Sequence, residues 1–128
     1  MMRIRLREAN ELVSKVIEGG IGKDFSSLAE RLPTLLMNNG LLLTVAYLQK
    51  RAKEDENNPE WRILEFIKEW LKKMGFIEKY SEERDLLQVL LDKDISELNL
   101  IFTETLRIAE ALKIVSDARL GGSGSHES

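Results

Sequence analysis

Few side chains in this sequence are spaced for chemistry. The run Gly19-Gly20-Ile21-Gly22-Lys23 has the composition of a loop that cradles phosphate through backbone N–H groups. A Walker A loop needs glycine five residues before its Gly-Lys pair and Ser or Thr directly after it. Ile17 and Asp24 hold those places, and the run separates two helical patterns instead of following a strand, so a plain interhelical turn is the better account. Carboxylates at three-residue spacing, Glu8 with Glu11 and Glu82 with Asp85, match the sets with which some helical pyrophosphohydrolases hold Mg²⁺ on oxygen ligands. The two pairs stand near opposite ends of the sequence, and glutamates so spaced are common on solvated helix faces. A Mg²⁺-dependent helical hydrolase is therefore the weakest reading.

The single histidine belongs to the terminal run GGSGSHES, and the chain has no cysteine. The part that can fold thus lacks the residues for a Ser-His-Asp triad, a His-containing zinc or di-iron site, a thiolate metal centre or a disulfide framework. No catalytic residue, metal or cofactor is expected.

Cations offer another chemistry, contact with phosphate. Lys50, Arg51 and Lys53 end one helical pattern and Lys72-Lys73 nearly ends another, positions where positive charge also suits the helix dipole. Arg107 and Lys113 stand six positions apart and need not share a face. Arg3, Arg5 and Arg7 could form a basic edge, with ordinary surface charge as the plainer account. Trp61 and Trp70 could stack on bases, but both fall in dense apolar pattern, where core packing explains them better. The formal charge of −3 and a pI near 5.3 argue against binding nucleic acid through the overall field. A local basic face is compatible with both.

The elements that would position these residues are helices. Leu6, Ala9, Leu12, Val13, Val16 and Ile17 recur at three- and four-residue steps, and Gly19-Gly20 stops that helix. Asp24, or a serine just after it, can cap a second helix carrying Phe25, Leu28, Ala29, Leu32, Leu35 and Leu36 on one face. Pro33 lies off that face and predicts a bend. Asn38-Asn39-Gly40 tolerates positive φ and predicts a chain reversal into a third helix with Leu41, Leu42, Val45, Ala46, Leu48 and Ala52. Pro59 opens a fourth helix striped by Trp61, Leu64, Ile67, Leu71 and Met74, which Gly75 closes. Ser81 with Glu82 and Glu83 predicts the start of a short fifth helix. Asp94 and Glu97 form a capping box for a last helix from about Ile95 to Arg119.

No strand-type alternation persists, so the expected fold is all-α, a single-domain bundle of about six helices over residues 1–120, with 121–128 as a flexible tail. At 128 residues, 43% hydrophobic and 32% charged, the chain is long enough for one core and no more. No apolar run has the length of a membrane span, and the Arg-rich start MMRIRLREAN lacks the apolar stretch of a signal peptide. The expected location is the cytoplasm.

The run Leu32-Pro33-Thr34-Leu35-Leu36-Met37-Asn38-Asn39-Gly40-Leu41-Leu42-Leu43-Thr44-Val45-Ala46-Tyr47-Leu48 resembles the signature of the small helical subunit of type III-B CRISPR effector complexes, the Cmr small-subunit family. A helix with Leu-Pro, an Asn-Gly turn and Leu-x-x-Thr before an aromatic-Leu pair recur there in that order. Leu106, Ala109, Glu110, Ala111 and Leu112 resemble the family's closing helix. The resemblance implies a non-catalytic subunit that stacks head to tail along the ribonucleoprotein, beside guide RNA and target RNA, while other subunits cut. It also implies that basic side chains touch the phosphates of the heteroduplex, Lys50 and Arg51 first, then Lys53, Arg107 and Lys113. The net charge and short length predict weak RNA binding by the isolated chain. The competing reading is a helical protein–protein interaction module unrelated to nucleic acid.

Overall fold

The computed structural model describes residues 2–20, 22–53, 55, 57–78 and 84–120. They form five α-helices, α1 (Met2–Gly19), α2 (Gly22–Arg51), α3 (Pro59–Lys73), α4 (Leu86–Leu91) and α5 (Ile95–Leu120). The expected helix start at Ser81, Glu82 and Glu83 and the tail 121–128 lie outside the described residues.

The two longest predicted helices on the N-terminal side prove to be arms of one element. Pro33 sits inside α2, yet the residue that leaves helical torsions is Gly40, with φ 81° and ψ 177°. That backbone region is open essentially to glycine alone, because a Cβ would crowd its own backbone. Asn38 and Asn39 remain helical and the helix resumes at Leu41, so the predicted three-residue turn is condensed into one residue. The Thr44 hydroxyl donates to the Leu35 carbonyl at 3.1 Å across a sequence separation of nine. In an unbroken helix those residues would stand roughly 13 Å apart along the axis, so the chain turns a sharp corner at Gly40. Pro33 is held within the first arm, and because the helices on either side of the corner form one element, six predicted helices become five.

The other boundaries follow local chemistry. Helix α2 begins at Gly22, ahead of the expected cap, which puts Asp24 in its first turn against the positive end of the dipole. Asn58 caps α3 by accepting from Trp61 N–H at 2.9 Å, and Pro59 follows as the first helical residue, where a missing N–H costs nothing. At its other end Gly75, with φ 81°, lets Phe76 N–H reach the Leu71 carbonyl and Gly75 N–H the Lys72 carbonyl, the paired bonds of a Schellman stop. Asp85 caps α4 by accepting from Gln88 N–H. The capping box of α5 closes reciprocally, Glu97 N–H on the Asp94 carboxylate at 2.8 Å and Asp94 N–H on the Glu97 carboxylate at 3.1 Å.

Helix α5 is the axis on which α1 and α2 pack. Arg5 of α1 meets Glu104 and Asn10 meets Arg119, so α1 runs parallel to α5. Gly22 lies against Leu120, while Asn39–Leu43 lie beside Leu98 and Phe102, so the first arm of α2 runs antiparallel to it. One core joins all five helices, with Ala9, Val13, Phe25, Leu32, Leu36, Leu48, Ile63, Leu71, Leu90, Ile108 and Leu112 at most 1% exposed. The predicted stripes account for most of it, except that Ile17 and Met74 are 43% and 41% exposed.

Candidate nucleic-acid interface

The predicted phosphate contacts at the end of α2 come together at one corner of the bundle. Asn58 holds that corner from both sides. Its amide donates to the Arg51 carbonyl at 3.1 Å while its side-chain oxygen caps α3, so one residue ties the last turn of α2 to the first turn of α3. Gln49 does the same for α4, its amide oxygen accepting from Leu87 N–H at 2.9 Å. The backbone carrying Lys50, Arg51 and Lys53 is thus braced by two neighbouring helix starts.

The three side chains are not equivalent. Lys50 and Lys53 are exposed. The Arg51 guanidinium lies 5.5 Å from the centroid of the Tyr47 ring and its Nε donates to Glu60 at 3.3 Å, with the side chain still 58% exposed. Stacking on a ring orients the planar fork, and although the Glu60 carboxylate is only 13% exposed, the guanidinium side is open to solvent and can be reached by an incoming anion.

Arg107 and Lys113 belong to a different surface. Both lie on α5, and Lys113 pairs with Asp117 one turn away at 3.4 Å. Arg107 is exposed and its charge acts inward, on Glu104. Other basic residues are committed to the fold: Lys73 to Glu8, Lys72 to Glu69, Arg84 to Asp92, and Arg119 to Asn10 and Ser14.

The three N-terminal arginines do not form one basic edge. Arg3 and Arg7 are exposed, but Arg5 is 8% exposed and donates from Nε and Nη2 to the two oxygens of Glu104, each at 2.7 Å. The indole N–H of Trp70 donates to the same carboxylate at 2.7 Å, so a three-membered polar cluster locks α1, α3 and α5 together. Burial pushes the Glu104 carboxyl up, but the hydrogen bonds from Arg5 and Trp70 and the charges of Arg5 and Arg107 outweigh it and hold it below the usual carboxylate range. The bond to Glu104 likewise raises Arg5 against the opposing effect of burial. Trp70 is 3% exposed, in keeping with core packing and not with base stacking. The sequence carried a signal for this cluster: Arg5 extends the inward stripe Ala9-Val13-Val16 by one turn, and Glu104 falls between Ile101 and Ile108 on the buried face of α5.

Two of the four spaced carboxylates have structural duties. Glu8 is engaged by Lys73, Asp85 is a helix cap, and Glu82 lies outside the described residues. Among the described residues no group of three or more His, Cys, Asp or Glu side chains could hold a metal ion. Gly19, Gly20 and Gly22 connect α1 to α2, the interhelical turn expected of that run. No described helix is long and apolar enough to cross a membrane.

No curated protein matches the chain. The family model described as CRISPR-associated protein (Cas_Cmr5) matches residues 2–119, which takes in all five helices apart from the final residue of α5. The chain belongs to the Cas_Cmr5 family, and it is a small subunit of a type III-B CRISPR Cmr complex.

Proposed function

We propose that this chain is a non-catalytic, architectural subunit that lies along the guide RNA and target RNA and touches their phosphates through the corner formed by Lys50, Arg51 and Lys53. The observation that carries the reading is that corner itself: three neighbouring cations on a backbone braced by Asn58 and Gln49, in a member of a family of effector subunits. Such a group recognises charge and helix shape, and base pairing recognises sequence. Arg107 and Lys113, on another helix, would serve a second strand segment or a neighbouring copy stacked head to tail. The buried charges fit an architectural role, because Arg5, Glu104 and Trp70 engage one another and join three helices.

The test is the double variant Lys50→Glu with Arg51→Glu in an assembled effector. Target-RNA affinity is expected to fall, with the slope of log K against log salt reduced by about 1.5, since each lost phosphate contact removes roughly 0.7–0.9. Unchanged affinity and slope would remove the corner from the RNA path and favour a role in protein contacts alone. Nanomolar RNA binding by the isolated chain at physiological salt would contradict the architectural reading.

A further inference from the structure

Arginines from two helices gather along the outer seam between α1 and α5. Arg3, Arg7, Asn10 and Ser14 follow one another at three- and four-residue steps, so they form one row along α1. Arg119 of α5 seats on that row, its Nη1 donating to the Asn10 side chain at 2.8 Å and to Ser14 Oγ at 2.7 Å. The row therefore borders α5. On α5 itself, Arg107 comes one turn after Glu104, which is bonded to Arg5 of α1, and that carboxylate feels the Arg107 charge. Because the helices run parallel with Arg5 level with Glu104, Arg3, Arg7 and Arg107 fall within about 8 Å of one another along the axis. All three are exposed, and none forms an ion pair among the described residues. Arg119 is oriented by neutral acceptors, so its charge is undiminished. Most nearby carboxylates are engaged elsewhere: Glu104 by Arg5 and Trp70, Asp117 by Lys113. Glu8 and Glu11 line the cleft on the opposite flank of α1, toward α3. Glu18 and Glu110 remain, so the seam is net positive in a chain whose formal charge is −3.

We infer that this seam is a second phosphate-binding track, which receives the sugar–phosphate backbone of one RNA strand at a site separate from Lys50, Arg51 and Lys53. The inference rests on the reading of the chain as a subunit that lies along RNA, and it adds a second face. Helix α3 separates the two. Lys73 meets Glu8 and Arg62 lies against Gly19, so α3 runs antiparallel to α1. Its start at Asn58, which holds the Arg51 corner, is therefore at the far end of α1 from Arg3. The 15 residues of α3 set the faces roughly 20 Å apart. Composition selects the occupant. A protein interface is centred on apolar or aromatic anchors and depleted of charge, whereas the arginines here are neighboured by Asn10, Ser14 and Thr103. The exposed apolar side chains of the seam, Leu100 and Ile114, stand two turns to either side of Arg107. Guanidinium takes phosphate oxygens bidentately. From Arg3 to Asn10, where Arg119 is held, the seam covers roughly 10 Å of helix axis. That is the rise of about three nucleotides of one strand, at about 3.4 Å each.

The experiment reconstitutes the effector with Arg3→Gln, Arg7→Gln and Arg107→Gln in this chain, checks incorporation by native mass spectrometry, and titrates target RNA at several salt concentrations. Incorporation should match the parent. The slope of log K against log salt should fall by about 2, since each lost phosphate contact removes roughly 0.7–0.9, and affinity at about 0.1 M salt should fall at least tenfold. Lysine at the same three positions keeps the charge and should restore most of the slope. If the triple variant melts lower because Glu104 loses the charge of Arg107, Arg3→Gln with Arg7→Gln carries the same test with a slope change of about 1.5. Unchanged affinity and slope in an effector that holds the variant overturns the assignment. Loss of incorporation by a variant that melts like the parent gives the seam to an acidic protein surface and also overturns it. The two faces are read separately. A seam effect without a Lys50→Glu, Arg51→Glu effect keeps this track and removes the corner, and the reverse removes the track alone.

Discussion

Replacing Glu104 by leucine is the most informative single perturbation of this fold. The change leaves the Arg5 guanidinium without its two 2.7 Å bonds and the Trp70 indole without its acceptor, while both charged side chains sit at 9% exposure. Breaking one side of a buried ion pair costs about 3–5 kcal/mol, chiefly because the remaining charge stays buried without a partner. Taking about 4 kcal/mol, and an unfolding entropy of roughly 2.1 cal/mol/K per residue over about 120 residues, the melting temperature should fall by about 16 °C. The double variant Arg5→Leu, Glu104→Leu removes both charges and should recover the part of that loss due to the unpaired charge, leaving the unmet indole donor, worth about 1–3 kcal/mol. Calorimetry or thermal circular dichroism on the parent, both singles and the double closes the cycle. Additive single effects, or a Glu104→Leu melting temperature within about 3 °C of the parent, would refute the claim that this cluster holds three helices together.

Acid should report on the same carboxylate. Its folded pKa lies below the unfolded value, so the unfolded chain binds the extra proton: the contribution is full above roughly pH 5 and is lost as pH falls below about 4. Urea titrations across pH 3–6 should show that decline in the parent and a shallower one in the Arg5→Leu, Glu104→Leu double variant. Gly40→Ala places a Cβ where it meets no neighbouring atom, so any cost is backbone strain alone, about 1–3 kcal/mol by denaturant midpoint. Asp94→Ala opens the capping box of α5 and should cost about 1 kcal/mol by the same assay.

Helix positions and most of the core were legible because they depend on local pattern. The stripes of α1, α3 and α5, the cap at Asp94 with Glu97 and the start at Pro59 each follow from residues within one or two turns of each other. The corner at Gly40 was half legible. Asn38-Asn39-Gly40 announced a break, but whether one residue or three would carry it depends on the Thr44–Leu35 contact, which forms only once the arms have met. Pro33 stays inside the first arm of α2, as a proline does where packing holds the turns around it. The Arg5–Glu104–Trp70 cluster was the least legible feature. Three residues from three helices meet there, and each taken singly reads as surface charge or as core aromatic. At the basic corner, the sequence placed Lys50, Arg51 and Lys53 side by side, and the brace supplied by Asn58 and Gln49 came only with the fold.

The bond between Arg5 and Glu104 spans 99 positions of the sequence, which sets the order in which a chain leaving the ribosome can mature. The inward face of α1, Ala9, Val13 and Val16, packs mainly on α5, which is synthesised after the other four described helices. At about 5–20 residues per second, α1 waits roughly 5–20 seconds after emerging before its partner exists, with an apolar stripe open to other chains. The α2–α3 pair, whose contact is local by comparison, can form during that interval. A stalled or truncated product ending before Glu104 would retain this hairpin and leave α1 undocked, which makes the first helix the sensor of whether synthesis has reached the end of the fold.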